Sequence, residues 1–268
     1  MTAPRFDANA WAGTWPFGTG ETSSLATTVA GLAGAGMAGG LVSPLRAVLA
    51  AEPSAANADL CHKAANLQQS GFTLRLAPVV DPSLADWPNQ FAQANHGAGD
   101  ALGAIRIVPN YHAYDLDHSG VDVLADTLAA RSIPLIVQIR MLDERAHHPR
   151  MVIPPVPVRS VAALAQRHPA LTIVASGIFF GELAAVRDAR NAYVELSSVE
   201  SGDTLPDVLR TIPPERVLLG THTPIYVPHA ALAKLGGEGI TSSALDAIGG
   251  ETARRLFQVQ GATAPQAT

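Results

Sequence analysis

The chain has 268 residues, of which 47% are hydrophobic and 15% charged, and its net charge is −5. That composition supplies one sizeable core and contains no block of Lys or Arg, which argues against a nucleic-acid partner. A single cysteine, Cys61, allows no internal disulfide and no Cys-x-x-Cys motif; a reducing, cytoplasmic setting is expected.

The opening MTAPRFDANAW lacks the apolar centre of a signal peptide. Residues 5–8 read as a first strand. Residues 22–45 carry no charge, and Gly36 and Gly40 stand at small-xxx-small spacing. Ala, Gly and Thr make this stretch only weakly apolar, and Gly39, Gly40 and Pro44 interrupt it. It therefore reads as a small-residue helix running into a second strand at 40–43, not as a membrane span. Residues 51–59, rich in Ala, Pro and Asn, read as a loop. Further apolar runs follow at 74–80, 104–108, 134–138, 171–175, 192–196 and 216–220. Most are apolar on both faces, as strands inside a parallel sheet are.

Helical patterns lie between these runs. Residues 121–131 place Val121, Leu124, Ala125 and Leu128 on one face. Residues 161–168 do the same with Val161, Leu164 and Ala165 before Pro169. Residues 181–189 and 205–211 are shorter candidates, and 241–257 closes the pattern with Thr241 or Ser242 as N-cap. Residues 143–159 form a long loop after the fifth strand, with His147, His148 and several prolines. Eight strand–helix units of about 30 residues predict an α/β fold, a single (β/α)8 TIM barrel of parallel strands with its ligand site at the C-terminal face. The domain is expected over residues 1–260, with a frayed tail at 261–268. No Gly-x-Gly-x-x-Gly turn supports a dinucleotide site.

In such a barrel the chemistry comes from strand C-termini. Those ends offer Asp7, Asn9 and Trp11; Ser43; Asp81; Arg106, Tyr111 and His112; Gln138 and Arg140; Ser176; Glu195 and Ser197; Thr221 and His222. Arg106 stands inside an apolar strand, either as a salt-bridge strut to Asp7 or Glu195 or as a bidentate clamp for a substrate carboxylate. A neutral imidazole such as His222 can serve as a base near neutral pH. Tyr111 and Trp11 either pack at the mouth or touch a ligand. His147 and His148 are adjacent, so on a strand they would point apart.

The segments FDANAWAG, RIVPNYHAYDLD, PLIVQIRMLDER and LLGTHTPIYVPHAAL resemble the amidohydrolase superfamily, in its small amidohydrolase-related branch of barrel hydrolases and decarboxylases. The resemblance spans residues 5–257. It implies a His-x-His pair after strand one, where this chain has Asn9 and Trp11. It implies a ligand His after strand five, here Gln138, and another after strand six, here Ala175 followed by Ser176. It implies an Asp after strand eight, where this chain reads Gly220-Thr221-His222-Thr223-Pro224. Trp and Ala offer no donor to a metal, and amides are poor zinc ligands. No metal residue and no cofactor are therefore expected, with zinc or another divalent metal the less favoured reading.

The expected function is an amidohydrolase-like hydrolase or lyase acting on a small anionic metabolite without the usual metal, by amide, ester or lactone hydrolysis or by decarboxylation. His222, Arg106 and Gln138 are the expected catalytic residues. Asn9, Trp11, Tyr111, His112, Arg140 and Glu195 are expected to bind substrate. The alternatives are a non-catalytic relative that binds a metabolite or a partner, and a metal hydrolase with ligands shifted to His112, His222 and a loop histidine. The expected partner is a small molecule, with no membrane; a homo-oligomer stays open.

Overall fold

In a computed structural model of the chain, the structure describes residues 3–17, 22–67, 71–147, 150 and 152–259. Nine strands are seen among these: β1 (Phe6–Thr14), β2 (Thr22–Ser23), β3 (Gly39–Pro44), β4 (Thr73–Leu76), β5 (Ile105–Ile107), β6 (Leu135–Gln138), β7 (Ile173–Ser176), β8 (Ala192–Glu195) and β9 (Val217–Leu218). All pair in parallel except the short β2, which folds back antiparallel on the end of β1. They form two ladders, β2-β1-β3-β4 and β5-β6-β7-β8-β9. Backbone bonds join the ladders at both edges. Val80 N donates to Arg106 O and Arg106 N to Pro78 O, while Ala8 N donates to Leu219 O, His222 N to Asn9 O and Trp11 N to Thr223 O. The result is the expected (β/α)8 barrel, with every strand but β2 in the ring.

Helices α1 (Leu25–Gly34), α2 (Ser54–Ala65), α3 (Trp87–Ala98), α4 (Ser119–Ala129), α5 (Val158–Arg167), α6 (Thr204–Leu209), α7 (Pro228–Leu232), α8 (Ser242–Asp246) and α9 (Thr252–Leu256) surround it. Ser24 caps α1 by accepting from Thr27 N, and Thr241 caps α8 by accepting from Ala244 N. The faces expected on α4 and α5 are the buried ones. They pack with the outward residues of β5 to β8 into the largest core cluster. No helix among the described residues is long and apolar enough to cross a membrane.

Several boundaries differ from expectation. The first strand runs on from residue 8 to Thr14, which puts Asn9 and Trp11 on a strand and not in a loop. The segment read as a loop at 51–59 becomes α2 from Ser54. Alanine is the best helix former, and Asn57, of a residue type common in loops, is buried: its amide donates to Val79 O and accepts from Val79 N, tying α2 to the chain beyond β4. Helix α3 is not among the expected elements: its buried face has one large apolar side chain, Phe91, with Gln90, Ala94 and Ala98 completing it, too weak a periodic signal amid Asn, Gln and His. The helix expected at 181–189 is a 3-10 segment, Phe180–Val186. The closing helix is broken by a wide turn at Ala247–Glu251, since Gly250 lies against the backbone of Pro4 to Phe6. His148 and the tail 261–268 lie outside the described residues.

One close approach sets up the barrel centre. A Cβ on Gly220 would lie 2.2 Å from Glu195 Oε2, so only glycine lets the β9 end pass the buried carboxylate. Gly220→Ala is expected to destabilise the fold by about 2–3 kcal/mol, in the range of overpacked cores; urea denaturation measures it, and a change below about 0.5 kcal/mol would show that Glu195 can move aside.

Candidate functional site at the barrel centre

Strand β1 delivers three fully buried side chains: Asn9 and Trp11 point inward, while Asp7 lies over Gly40 and bonds Thr221 beyond β9. Facing them are Arg106 from β5, Gln138 from β6, Ser176 from β7, Glu195 from β8 and His222 beyond β9. Arg106 is the centre of this group. Its Nε donates to Ser43 Oγ at 2.9 Å, and its Nη1 to Asn9 Oδ1 at 3.1 Å and to Gln138 Oε1. The guanidinium carbon lies 4.3 Å from the centre of the Trp11 ring. Nη2 has no partner. Burial pulls the Arg106 pKa down to about 9, against the opposing charges of Glu195 and Asp7, so the group remains a cation at neutral pH.

Glu195 is held by five donors. Its Oε1 accepts from Asn9 Nδ2, Ser176 Oγ, Gly177 N and Ser197 Oγ at 2.8–3.1 Å, and its Oε2 from Ser197 N at 2.6 Å. Gly177 has φ +74, and a Cβ there would sit 2.6 Å from Arg140 O, so glycine lets this amide face the carboxylate. Asn9 spans the two charges. Its carbonyl faces Arg106 and its amide nitrogen faces Glu195, which fixes the orientation of the amide. Asp7 accepts from Asn9 N, Thr221 N and Thr221 Oγ1. Burial raises its pKa to about 6 in spite of these bonds.

His222 has φ +56, a strained position for a residue with a Cβ. Its Nδ1 receives N–H bonds from Trp11 Nε1 at 3.1 Å and Asn9 Nδ2 at 3.0 Å, and its Nε2 lies 2.8 Å from Met141 O. Two donors on one side and a carbonyl on the other select the neutral tautomer with hydrogen on Nε2. Burial lowers the pKa to about 4, with Glu195 and the Met141 carbonyl opposing.

The structure thus brings together Asn9, Trp11, Arg106, Gln138, Glu195 and His222. Three other expected residues stand apart. Arg140 turns to the rim, where it makes a two-pronged pair with Glu182, bonds Gly177 O and lies over the Phe179 ring. His112 lies between Ala47 O, at 3.0 Å from Nε2, and Asp81, at 3.7 Å from Nδ1. Tyr111 packs edge-on against Trp15. With Trp11, Met141, Leu142 and Ile225, these two aromatics roof the polar ring. His147 accepts from Ile153 N in the long loop, away from the ring. Sequence reasoning noted Ser43, Ser176, Ser197 and Thr221 only as strand ends, and missed the Met141 carbonyl; a backbone acceptor leaves no residue-type signal. Arg106 makes no direct contact with Asp7 or Glu195 of the kind expected of a strut, because Asn9 stands between.

A profile of the amidohydrolase family matches residues 23–259. The chain belongs to the amidohydrolase family. No curated protein sequence matches it. Among solved structures, 5-carboxyvanillate decarboxylase from Sphingomonas paucimobilis superposes with a TM-score of 0.71 at 14% identity, over 96% of this amidohydrolase and 99% of that chain. The 2,6-dihydroxybenzoate decarboxylase from Rhizobium gives 0.70 at 14%, over 97% and 100%. A dihydroxybenzoic acid decarboxylase from Polaromonas sp. gives 0.70 at 17%, over 96% and 97%, and holds manganese and the inhibitor 2-nitroresorcinol. At these identities the likeness is one of fold.

The bound manganese overturns the expectation of no cofactor, which rested on donor types alone: a divalent ion is in use on this fold. The side chains as placed here do not assemble a site for one. Among the described residues no three His, Cys, Asp or Glu side chains converge, and the Arg106 guanidinium already lies against the amide oxygens of Asn9 and Gln138.

Two of the perturbed groups, Asp7 and His222, titrate below neutral pH and give the centre a pH signature. Asp7 holds its proton more tightly folded, at about 6, than at its ordinary 3.8, so its contribution is complete below about pH 4 and is lost as pH rises through 6. His222 is the reverse, at about 4 against 6.5: its contribution is complete above about pH 6.5 and is lost as pH falls through 4. The two slopes oppose each other in the intact protein. Asp7→Asn is expected to become more stable from pH 4 to 6.5, and His222→Gln less stable from pH 4 to 6, each by about 2–3 kcal/mol. Urea titrations across that range decide it; slopes of the same sign in both variants would refute the assignment.

Proposed function

We propose that this amidohydrolase hydrolyses an amide, ester or lactone in a small molecule that carries a carboxylate or similar anion. The observation that carries this reading is the unpartnered Nη2 of the fully buried Arg106. A buried donor without an acceptor is costly, and an anionic oxygen is the group that satisfies it best. Asn9 and Gln138 fix the guanidinium plane from two sides. To admit the anion, the Trp11 indole swings off Arg106, and the same movement releases its bond to His222 Nδ1. With Trp11 moved, the Nδ1 lone pair of the neutral imidazole keeps only the bond from Asn9; exchanging that bond for one from water, it can take a proton as the water adds to the substrate carbonyl and pass it to the leaving nitrogen or oxygen as the acyl bond breaks. The strong burial that keeps His222 neutral makes it a base and not an acid at neutral pH.

A second reading is loss of carbon dioxide from a small carboxylic acid. It is favoured by the three decarboxylases of similar fold, whose named substrates are aromatic carboxylic acids. The two readings differ in product, and released carbon dioxide separates them. The free thiol of Cys61 accords with a reducing, cytoplasmic setting.

Assay against a panel of N-acyl, ester and lactone carboxylates tests the proposal. Arg106→Ala should raise KM by about 30-fold or more, as loss of a buried charge partner does. His222→Gln should lower kcat by about a hundredfold or more with a smaller change in KM. In the intact enzyme kcat/KM should stay level above about pH 5 and fall as pH drops through about 4, where His222 takes up its proton. Full turnover in His222→Gln would remove the base; ligand binding with no turnover in the intact protein would make this chain a binder.

A further inference from the structure

A cavity opens at the C-terminal ends of β1 and β3, outside the polar ring and on the far side of those strands toward α1 and α2. It has a volume of about 170 Å³, a little more than a cavity of about 150 Å³ that takes benzene. Its floor is apolar, from Ala12, Leu25, Pro44, Ala56 and Leu60. Its rim carries Arg46, Lys63 and Asp59. Lys63 and Asp59 pair with each other at 2.7 Å along α2, with both side chains about half exposed. Such pairs contribute little, about 0.3–0.5 kcal/mol, so Lys63 can turn toward another partner. Arg46 is exposed on the 3-10 turn Leu45–Val48, and among the described residues it has no hydrogen bond or ion pair of its own.

We propose that this cavity is a binding site for a small amphipathic anion, with its apolar part on the Ala56–Leu60 floor and its charged head against Arg46 and Lys63. The lining supports an apolar body and an anionic head together. A ligand with no charge leaves the unpaired guanidinium unused, and a bare inorganic anion leaves the apolar floor wet. The volume limits the buried part to about the size of a benzene ring or a five-carbon chain. The site is separate from Arg106, so the reaction proposed above neither requires it nor follows from it.

Hexanoate is the probe, with hexanol as its uncharged counterpart. In amide NMR spectra of the intact protein, hexanoate should produce saturable shifts at Gly13, Leu60 and Lys63, and hexanol should bind at least fivefold more weakly. Arg46→Ala should weaken hexanoate binding by about fivefold to tenfold, the worth of one partly exposed charged hydrogen bond. Leu60→Phe, which fills the floor with another apolar side chain, should abolish binding while the rest of the spectrum stays that of a folded protein. Shifts confined to Gly177 and Thr221 would place the carboxylate in the barrel centre and overturn the inference while supporting the proposed reaction. Absence of any saturable shift, or equal binding of hexanol and hexanoate, would also overturn it.

Discussion

The barrel centre depends on one amide. Asn9 sits between a buried guanidinium and a buried carboxylate and satisfies both, carbonyl toward Arg106 and nitrogen toward Glu195. Two full charges in a barrel core are tolerable only when each is paired and hydrogen-bonded. Here the pairing is indirect, and every other feature of the ring follows from keeping it in place. Five donors hold Glu195, two of them backbone amides. Ser43 and Gln138 fix the guanidinium from the other side, and the second hydrogen of the Asn9 amide sets the tautomer of His222.

The ring also explains why the mouth is closed. Its side chains are almost wholly buried, and the Trp11 ring lies over the Arg106 guanidinium. The aromatic and aliphatic roof of Trp15, Tyr111, Met141 and Ile225 then packs on Trp11. Trp11 is therefore both a wall of the ring and the underside of its cover. One indole serves both groups, its ring covering Arg106 and its nitrogen bonding His222.

Much of this was legible in the residues. The eight apolar runs found all eight ring strands, because strands buried on both faces have no polar alternation to hide them. The order of polar residues at strand ends found six members of the ring. What the sequence hides has physical reasons. Helix α2 escaped because Asn57, a residue of turns in general, is used here to bond the backbone of Val79 twice. Arg140 reads like Arg106, since both are arginines at strand ends. Only the three-dimensional position of Glu182 sends one guanidinium to the rim and leaves the other at the centre. The neutral state of His222 depends on the carbonyl of Met141, a group every residue type has. And the donor types at the mouth could not decide the use of a metal on this fold, which a neighbouring structure shows directly.

The indirect pairing through Asn9 has a consequence for how this centre can change over generations. Replacing Asn9 alone by an alkyl group removes one hydrogen bond from each of the two buried charges and the link between them, at a cost of about 1.5–3 kcal/mol for each bond to a charged group. Replacing Arg106 alone leaves Glu195 and Asp7 as two unbalanced acids, and replacing Glu195 alone leaves the guanidinium. Positions 9, 106 and 195 are thus mutually contingent, and their substitutions should be strongly non-additive. A change at one of the three positions is therefore tolerated best when a second changes with it, so the centre is expected to be replaced as a set and not residue by residue.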